Sequence, residues 1–246
     1  MKFDEVLNPD LEVDPPKMLC DDLISKDIPE PLDQKSHIYL MVGAKGSGKT
    51  SLAISLLTSK KKPFKAYRTK FNEVYVNMPK SSADSIKGKP FKSLPSSNFI
   101  PNFNEAFLEK IFEKAEENSE EEEYTLAVID DASSKLKSNK AIMDKLTQLV
   151  HKHRHLRLSL WILVQDLISV PLGVRKNCDA IFYFRPTNEK SNQIFREEYL
   201  GGFSLKETAD FMDYMFKKKG DVLMVKLNRI PYEYWRNFNR INITQD

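Results

Sequence analysis

The chain has 246 residues, of which 41% are hydrophobic, enough for one α/β domain with modest additions. Its 38 Lys and Arg barely outnumber its 35 Asp and Glu, so the net charge of +3 neither requires nor excludes a nucleic-acid partner. Cys20 and Cys178 lie far apart without CxxC spacing, which argues against a disulfide framework or a zinc site and favours a reducing compartment. No apolar run approaches the ~18 residues that span a bilayer, and the first residues are acidic. We therefore expect a soluble intracellular chain without stable membrane insertion.

Composition divides the chain into three segments. Residues 1–36 combine acidic residues with prolines, which predicts an extended or partly ordered arm outside the core. Residues 37–200 alternate short apolar runs with helical patterns and form the predicted core. Residues 201–246 add a helix and strands, which we expect to pack on the core as a C-terminal extension.

The elements of the core alternate between strands and helices. The pattern predicts a helix directly after the glycine-rich loop at 43–50, a long loop over Lys80–Asn102, and helices near Asn104–Glu117, Ser138–His153 and Leu205–Lys217. Strands are predicted at Ile38–Val42, Glu73–Val76, Leu126–Ile129, Leu158–Val164, Ala180–Phe184, Val222–Leu227 and Tyr232–Phe238. Uniformly apolar runs between helices predict an α/β fold with a mostly parallel sheet covered on both faces.

The loop after the first strand carries the clearest chemical signal. Its sequence GAKGSGKT fits GxxxxGK[ST], with an apolar strand before it and a helix after it. Backbone N–H groups of such a loop bind phosphates, Lys49 is expected to reach the β- and γ-phosphates, and Thr50 to ligate Mg²⁺. The predicted nucleotide-binding residues are Gly43, Ala44, Lys45, Gly46, Ser47, Gly48, Lys49, Thr50 and Ser51. The predicted cofactors are ATP and Mg²⁺.

Two carboxylates follow the apolar strand Leu126–Ile129. Asp130 and Asp131 come at its carboxyl end, the edge where α/β sheets bind ligands. Asp130 is placed as the Walker B acid that holds Mg²⁺, and Asp131 as the base that polarises the attacking water. The alternative for Asp131 is a helix cap.

A neutral amide ends the strand Leu158–Val164. Gln165 at a strand tip can hydrogen-bond both a γ-phosphate oxygen and the attacking water, and so can sense intact nucleotide. The alternative is a loop glutamine without such a role. No NKxD element follows this strand, since Arg185-Pro186-Thr187-Asn188 stands there, which disfavours GTP.

The loop, the aspartate pair and the strand-tip glutamine, in this order, resemble the FtsK–HerA class of DNA-pumping ATPases. The segment from Arg154-His155-Leu156-Arg157 through Gln165 and Pro171 to Val174-Arg175-Lys176-Asn177 is similar to the genome-packaging ATPases of poxviruses, other large DNA viruses and virophages. The likeness covers roughly residues 37–200. Bacterial motors of the class commonly have Asp-Glu where this chain has Asp130-Asp131, which leaves the identity of the base open; the viral branch resembles this chain.

The resemblance implies a RecA/FtsK-like P-loop NTPase whose Gln165 strand lies between the P-loop strand and the Asp130 strand. It also implies a homo-oligomeric ring, a pentamer or hexamer, in which an arginine of one subunit completes the neighbour's site. Arg154 is the first candidate for this catalytic arginine and Arg175 the second. The alternative for Arg154 is one more solvated charge in the cluster 151–157.

The partners implied by the resemblance are double-stranded DNA and a viral capsid or portal-vertex protein, in the host cytoplasm or associated with the virion. Two local basic patches are candidates for contact with the DNA backbone, or else are solvated surface. One comprises Lys60, Lys61, Lys62, Lys65, Arg68 and Lys70, and the other Lys217, Lys218 and Lys219.

These features together predict an ATP-driven motor that packages double-stranded viral DNA. The alternatives are a related DNA translocase or helicase outside packaging, a P-loop kinase for a small molecule, and an assembly protein switched by nucleotide without turnover. The kinase reading lacks support because the candidate lid, Lys80–Asn102, contains no arginine. Intact Lys49, Thr50, Asp130 and Asp131 speak against the non-catalytic reading.

Overall fold

The computed structural model describes residues 22–60, 66–88, 90–91, 94–186 and 188–243. The strands in these ranges are β1 (Ile38–Val42), β2 (Glu73–Asn77), β3 (Phe99–Ile100), β4 (Thr125–Ile129), β5 (Leu158–Val164), β6 (Ala180–Phe184), β7 (Val222–Lys226), β8 (Glu233–Arg236) and β9 (Asn239–Ile241). The helices are α1 (Lys49–Thr58), α2 (Lys80–Asp84), α3 (Glu105–Glu120), α4 (Ser133–Ser138), α5 (Lys140–Lys152), α6 (Leu172–Lys176), α7 (Glu189–Tyr199) and α8 (Leu205–Met215).

These strands form one sheet in the order β3-β2-β4-β5-β1-β6-β7-β8-β9. The pairs from β3 to β6 are parallel, and β7, β8 and β9 continue the sheet with antiparallel pairs. The mostly parallel α/β fold is therefore confirmed. The strand that bears Gln165 lies between the P-loop strand and the Asp130 strand, as the family resemblance implies.

Helices cover both faces of the sheet because its central strands are apolar on both sides. All residues of β1, β4, β5 and β6 are buried. One core packs α3, α5, α7 and α8 against one face, and the other packs α1 and the segment before β1 against the opposite face. Both cores include residues of β1 and β5, one core on each face of the sheet. Packing on both faces holds in place the strands that carry the predicted site.

Three of the predicted elements differ from the structure. The segment Lys80–Asn102 is not a continuous loop, since it contains α2 and β3. The helix predicted at Ser138–His153 begins earlier and is broken at Asn139, whose side chain accepts a hydrogen bond from Ile142 N and caps α5. The predicted strand Tyr232–Phe238 is a hairpin of β8 and β9, whose turn has positive φ at Asn237 and Phe238.

The described part of the N-terminal arm packs on the core, so its predicted place outside the core is wrong for residues 22–36. Ile28 and Leu32 are 1% and 7% exposed and belong to the core on the α1 face. Asp33 accepts a hydrogen bond from Lys226 Nζ at 2.6 Å, and the two side chains are nearly buried. A charged group that is removed from water needs an oppositely charged partner. The ion pair between Asp33 and Lys226 therefore fixes the arm to β7. Residues 1–21 lie outside the described residues.

The C-terminal extension is part of the same sheet. β7 pairs with β6 over its whole length, and Met215 and Phe216 at the end of α8 are buried in the core. Among the described residues, no helix is both long and apolar enough to cross a lipid bilayer.

Candidate nucleotide site

Three loops meet at the carboxyl edge of the parallel strands. The P-loop follows β1, Asp130 follows β4 and Gln165 follows β5. The strand registers place Val42 beside Val164 and Ile129 beside Ile162, so the residues that follow come together at one edge. Ligands of open α/β sheets bind at this edge.

The P-loop turns sharply over Phe184 of β6. Gly48 has φ of 115°, a region that L residues with side chains rarely adopt, and it directly precedes α1. A Cβ on Gly43 would come within 2.7 Å of Phe184 Cβ, so only glycine fits there. The loop therefore presents backbone N–H groups and the positive end of α1 to one small space.

Lys49 and Thr50 begin α1 and point toward the loop and the Asp130 strand. Lys49 is 8% exposed and its Nζ donates to the carbonyls of Gly43 at 2.6 Å and Ala44 at 3.1 Å. Burial lowers the pKa of Lys49, and the carboxylates of Asp130 and Asp131 oppose this effect. The ammonium group is thus held inside the loop.

Thr50 and Asp130 form an oxygen-lined pair suited to Mg²⁺. Thr50 Oγ1 donates to Asp130 Oδ2 at 3.0 Å, although they come from different elements. Burial raises the pKa of Asp130, and the Thr50 hydrogen bond and Lys49 oppose this effect. Mg²⁺ prefers hydroxyl and carboxylate oxygens, and a divalent cation would favour the ionised carboxylate. The residues present therefore fit the predicted metal.

Asp131 and Gln165 contact each other at the mouth of the site. Gln165 Nε2 donates to Asp131 Oδ1 at 2.9 Å, and both side chains are exposed. Asp131 has φ of 59°, an uncommon backbone conformation for a residue other than glycine that occurs at functional sites. Asp131 is thus placed beside the strand-tip amide rather than as a helix cap, since the residue at the N-cap of α4 is Ala132.

Ser133 is a site residue that the sequence analysis missed. Its Oγ accepts a hydrogen bond from Gln165 N at 2.8 Å and so fixes the backbone of the strand tip. A single serine at the start of a helix carries no distinctive sequence signal, and its role depends on a residue 32 positions away.

Arg154 lies at the opposite, amino edge of the sheet. It precedes β5, whose seven residues at ~3.3 Å each separate it from its own P-loop edge by roughly 20 Å. Its side chain is 56% exposed and Nη2 lies 3.6 Å from Asp179 Oδ1. An arginine in this position cannot contact a phosphate in its own P-loop.

Arg175, the second candidate for the catalytic arginine, is a buried residue of its own subunit. It donates from Nε to Glu198 Oε2 at 3.0 Å and from Nη1 to the carbonyls of Leu167 and Val170. It is 9% exposed. The structure therefore places Arg175 between α6 and α7, with its guanidinium bound to Glu198 and to two carbonyls of its own subunit.

The two basic patches differ in how much of each the structure describes. Lys61, Lys62 and Lys65 of the first lie outside the described residues, and Lys70 pairs with Asp27 at 3.2 Å. The second, Lys217–Lys219, is described and exposed. It immediately precedes β7, whose first residue Val222 pairs with Phe184, so this patch lies on the nucleotide edge.

The parallel sheet, the glycine-rich loop and the contact between Thr50 and Asp130 define the P-loop NTPase class. A family model described as "Poxvirus A32 protein" matches residues 29–226. The chain therefore belongs to the poxvirus A32 protein family.

Comparisons with individual proteins agree with this placement. Uncharacterized protein 088R of Invertebrate iridescent virus 3 is 24% identical over 176 residues, which cover 70% of this chain. The matched region is 62% of that relative's length, so this chain spans less than two thirds of it.

Solved structures with the same fold include B204, the DNA-packaging ATPase from Sulfolobus Turreted Icosahedral Virus. It is 17% identical with a TM-score of 0.57, over 85% of this chain and 98% of that chain. The genome packaging NTPase B204 from Sulfolobus turreted icosahedral virus 2, in complex with ATP-gammaS, is 19% identical with a TM-score of 0.54, over 81% of this chain and 96% of that chain. At these identities the likeness shows the fold.

Proposed function

We propose that this protein is an ATPase that drives double-stranded viral DNA into a capsid. The observation that carries the proposal is the meeting of the P-loop, Asp130, Asp131 and Gln165 at one sheet edge. Membership of the poxvirus A32 family and the fold shared with B204 packaging ATPases support the DNA-packaging role. A capsid or portal-vertex partner, and a place in the infected cytoplasm or in the virion, follow from the same proposal.

The site supports hydrolysis rather than binding alone. The P-loop amides and Lys49 bind the β- and γ-phosphates, so Lys49 exchanges its bonds to Gly43 and Ala44 for phosphate oxygens. Thr50 and Asp130 would hold Mg²⁺, which would neutralise phosphate charge. Asp131 accepts the proton of the attacking water, and Gln165 orients that water. The 2.9 Å hydrogen bond between Gln165 and Asp131 keeps these two groups together, which supports their paired roles.

Arg154 completes the site of a neighbouring subunit in this proposal. Its exposed guanidinium at the amino edge cannot act in its own subunit, so a catalytic role requires contact between the amino edge of one copy and the nucleotide edge of the next. Such a head-to-tail contact gives a ring when the rotation between successive copies closes. An arginine supplied in trans contributes on the order of 10³-fold or more to turnover in related NTPases. The engaged Arg175 is the weaker candidate.

In this proposal the protein contacts the charged phosphate backbone of the DNA. A packaging motor must accept every sequence, so phosphate contacts rather than base contacts are expected, and affinity falls steeply with salt. The exposed Lys217–Lys219 patch on the nucleotide edge is the best-placed described group for this contact.

The test is ATP turnover with and without linear double-stranded DNA for the wild type, Lys49→Ala, Asp131→Asn and Arg154→Ala. We expect DNA to stimulate the wild type and each variant to lose about 10²-fold or more. Asp131→Asn keeps the hydrogen bond from Gln165 and removes only the base, so it should still bind ATP. Asp144→Asn on the exposed face of α5 is the matched control and should behave as wild type.

An equimolar mixture of Lys49→Ala and Arg154→Ala decides whether the arginine acts in trans. Mixed assemblies contain some sites with an intact P-loop and an intact neighbouring arginine, so partial recovery of turnover is expected. An ATP turnover rate that is the same with and without DNA, together with an active Arg154→Ala variant, would contradict the proposed motor and favour the kinase alternative. No turnover by the wild type under any condition would favour the nucleotide-switched assembly protein.

A further inference from the structure

Asp179 is a buried carboxylate at the amino edge of the sheet, directly before β6. Its side chain is 7% exposed, and its Oδ2 accepts a hydrogen bond from Ile38 N at 2.8 Å. Its backbone N–H donates to Ile38 O at 3.0 Å, and its backbone carbonyl accepts from Leu227 N at 2.8 Å. These bonds attach it to β1 and to the residue after β7, so Asp179 has a fixed position in the sheet.

The other carboxylate oxygen of Asp179 faces Arg154. Arg154 Nη2 lies 3.6 Å from Asp179 Oδ1. In the part of the chain that the structure describes, no other carboxylate lies within ion-pair distance of Arg154. Asp179 Oδ1 also accepts a longer hydrogen bond from Asn228 Nδ2, at 3.4 Å. A carboxylate fixed in the sheet is thus paired with an arginine whose side chain is more than half exposed.

A negative charge at this position is costly, because the group is removed from water and a second carboxylate is near. Burial and the neighbouring Asp33 raise the pKa of Asp179 to about 6, so Asp179 is ionised at pH 8. A neutral amide oxygen in the same place would also accept the hydrogen bond from Ile38 N. The charge of Asp179 is therefore of use only toward a cation.

Arg154 is the cation that this charge can serve. Arg154 and Lys226 both oppose the rise in the pKa of Asp179, but Lys226 Nζ donates to Asp33 Oδ1 at 2.6 Å. His153 Nε2 lies 3.9 Å from Asp179 Oδ2. Burial lowers the pKa of His153 to about 4, so its ring is neutral at pH 8. Arg154 remains as the charged partner of Asp179.

The contact leaves most of the guanidinium accessible. The side chain of Arg154 is 56% exposed and lines a cavity of about 370 Å³ at the amino edge. An unrestrained arginine has many rotamers and loses this freedom when it binds. A carboxylate that holds one end of the guanidinium reduces that loss, while the remaining N–H donors stay available to another group.

We infer that Asp179 is a positioning residue that orients Arg154 toward the nucleotide site of the neighbouring subunit. The inference rests on the proposed function, in which Arg154 acts in trans. Asp179 itself contacts no nucleotide and acts only through Arg154. Because Arg154 stabilises the transition state, the effect of Asp179 belongs to kcat and not to the affinity for ATP.

The test measures ATP turnover at pH 8 with saturating double-stranded DNA for the wild type, Asp179→Asn, Arg154→Ala and the double variant. Asp179→Asn keeps an oxygen for Ile38 N and removes the charge. We expect its kcat to fall by about 10-fold, which corresponds to part of the rotamer freedom of an arginine. The KM for ATP should not change. The double variant should have the kcat of Arg154→Ala, because Asp179 acts through Arg154.

An equimolar mixture of Asp179→Asn and Lys49→Ala shows in which subunit the carboxylate acts. The Lys49→Ala subunits keep Asp179 and Arg154 and supply them to neighbours with an intact P-loop. Turnover per intact P-loop should therefore exceed that of Asp179→Asn alone. No such rise, where the mixture of Arg154→Ala and Lys49→Ala does recover, would overturn the inference.

Glu30→Gln is the matched control and should keep the wild-type kcat. Glu30 is exposed and lines the same cavity, and the change removes the same charge. Urea denaturation checks each fold. The inference is overturned if Asp179→Asn does not fold, if its kcat equals or exceeds that of the wild type, or if the double variant is slower than Arg154→Ala. Wild-type turnover by Arg154→Ala would overturn the proposed role of Arg154, and the inference with it.

Discussion

At the scale of single residues, the two candidate catalytic arginines differ in exposure and in the contacts of their guanidinium groups. Arg154 is more than half exposed and lies near one carboxylate at the amino edge. Arg175 is buried, paired with Glu198, and donates to two backbone carbonyls. The exposed Arg154 is therefore able to enter the site of a neighbouring copy, whereas the buried and hydrogen-bonded Arg175 joins α6 to α7.

A double-mutant cycle on Arg175 and Glu198 tests this division. Arg175→Met leaves the carboxylate of Glu198 without its partner, so we expect the free energy of unfolding to fall by about 3 kcal/mol. Arg175→Met combined with Glu198→Leu should recover most of that loss, because no uncompensated charge remains. Urea denaturation measures both values.

A structural role and a catalytic role predict different results for this pair. If Arg175 acted on a neighbour's nucleotide, the double variant would be stable yet inactive. A folded double variant with wild-type turnover would confirm the structural role. Equal stability of Arg175→Met and wild type would contradict it.

That the residues of the candidate nucleotide site lie together could be predicted from the sequence, because each is adjacent to a strong local pattern. The structure brings together the P-loop, Asp130, Asp131 and Gln165, each of which directly follows an apolar strand. The contacts of Arg175 and Ser133 could not be predicted, since they depend on partners far along the chain.

At the scale of elements, the loop between α8 and β7 is held in place by its own carboxylate. Asp221 accepts hydrogen bonds from Lys218 N, Arg236 and Asn237. Burial would raise the pKa of Asp221, but these donors outweigh it and hold the pKa well below the ordinary value. The exposed Lys217–Lys219 patch is therefore presented by a fixed loop.

Replacing Lys217, Lys218 and Lys219 together by glutamine tests the DNA contact. Each lost phosphate contact should reduce the slope of log K against log salt by about 0.9, so the triple change should reduce it by about 2 to 3. ATP turnover without DNA should be unchanged. Salt-dependent fluorescence anisotropy with a duplex measures the slope.

The matched control replaces Lys26, Lys152 and Lys176, which are exposed lysines toward the amino edge. This triple variant loses the same charge and should keep the wild-type slope. An equal reduction in both variants would show that net charge, not the patch on the nucleotide edge, attracts DNA.

Helices that are short or mostly polar account for most of the elements that the sequence did not predict: α2 and α6 have five residues each, and α7 is mostly polar. α7 has the sequence EKSNQIFREEY, whose buried residues Ser191, Phe195 and Tyr199 form a narrow and partly polar stripe. Asn188 caps it by accepting from Lys190 N and Ser191 N, which is the one local signal that could have marked its start. The strongly apolar strands, in contrast, were predicted to within two residues.

At the scale of the whole molecule, buried titratable groups couple folding to pH. Burial lowers the pKa of His37 to about 4 and that of His153 to about 4. An unfolded histidine binds a proton below its ordinary pKa of about 6.5, so unfolding takes up protons in this window and stability is lost as the pH falls. Burial raises the pKa of Asp179 to about 6, which acts in the opposite sense.

The two histidines outweigh the one aspartate, so unfolding at acid pH should take up a net of about one proton. Acid should therefore destabilise the protein. We expect the free energy of unfolding to fall by about 1 to 2 kcal/mol between pH 7 and pH 5. His37→Gln removes one of the two proton acceptors and should flatten this dependence. His155→Gln, at an exposed histidine of the turn before β5, is the control and should keep the wild-type slope. A pH profile of His37→Gln as steep as that of wild type would contradict the assignment.

The two outermost described strands are short. β3 has two residues and β9 has three, and Arg240 of β9 pairs with Glu233 of β8. A sheet grows from one molecule into the next only when a long, flat edge offers unsatisfied peptide groups. These margins offer very few, so in the proposed ring neighbouring copies would associate through side chains, and such contacts can separate and form again without breaking a shared sheet.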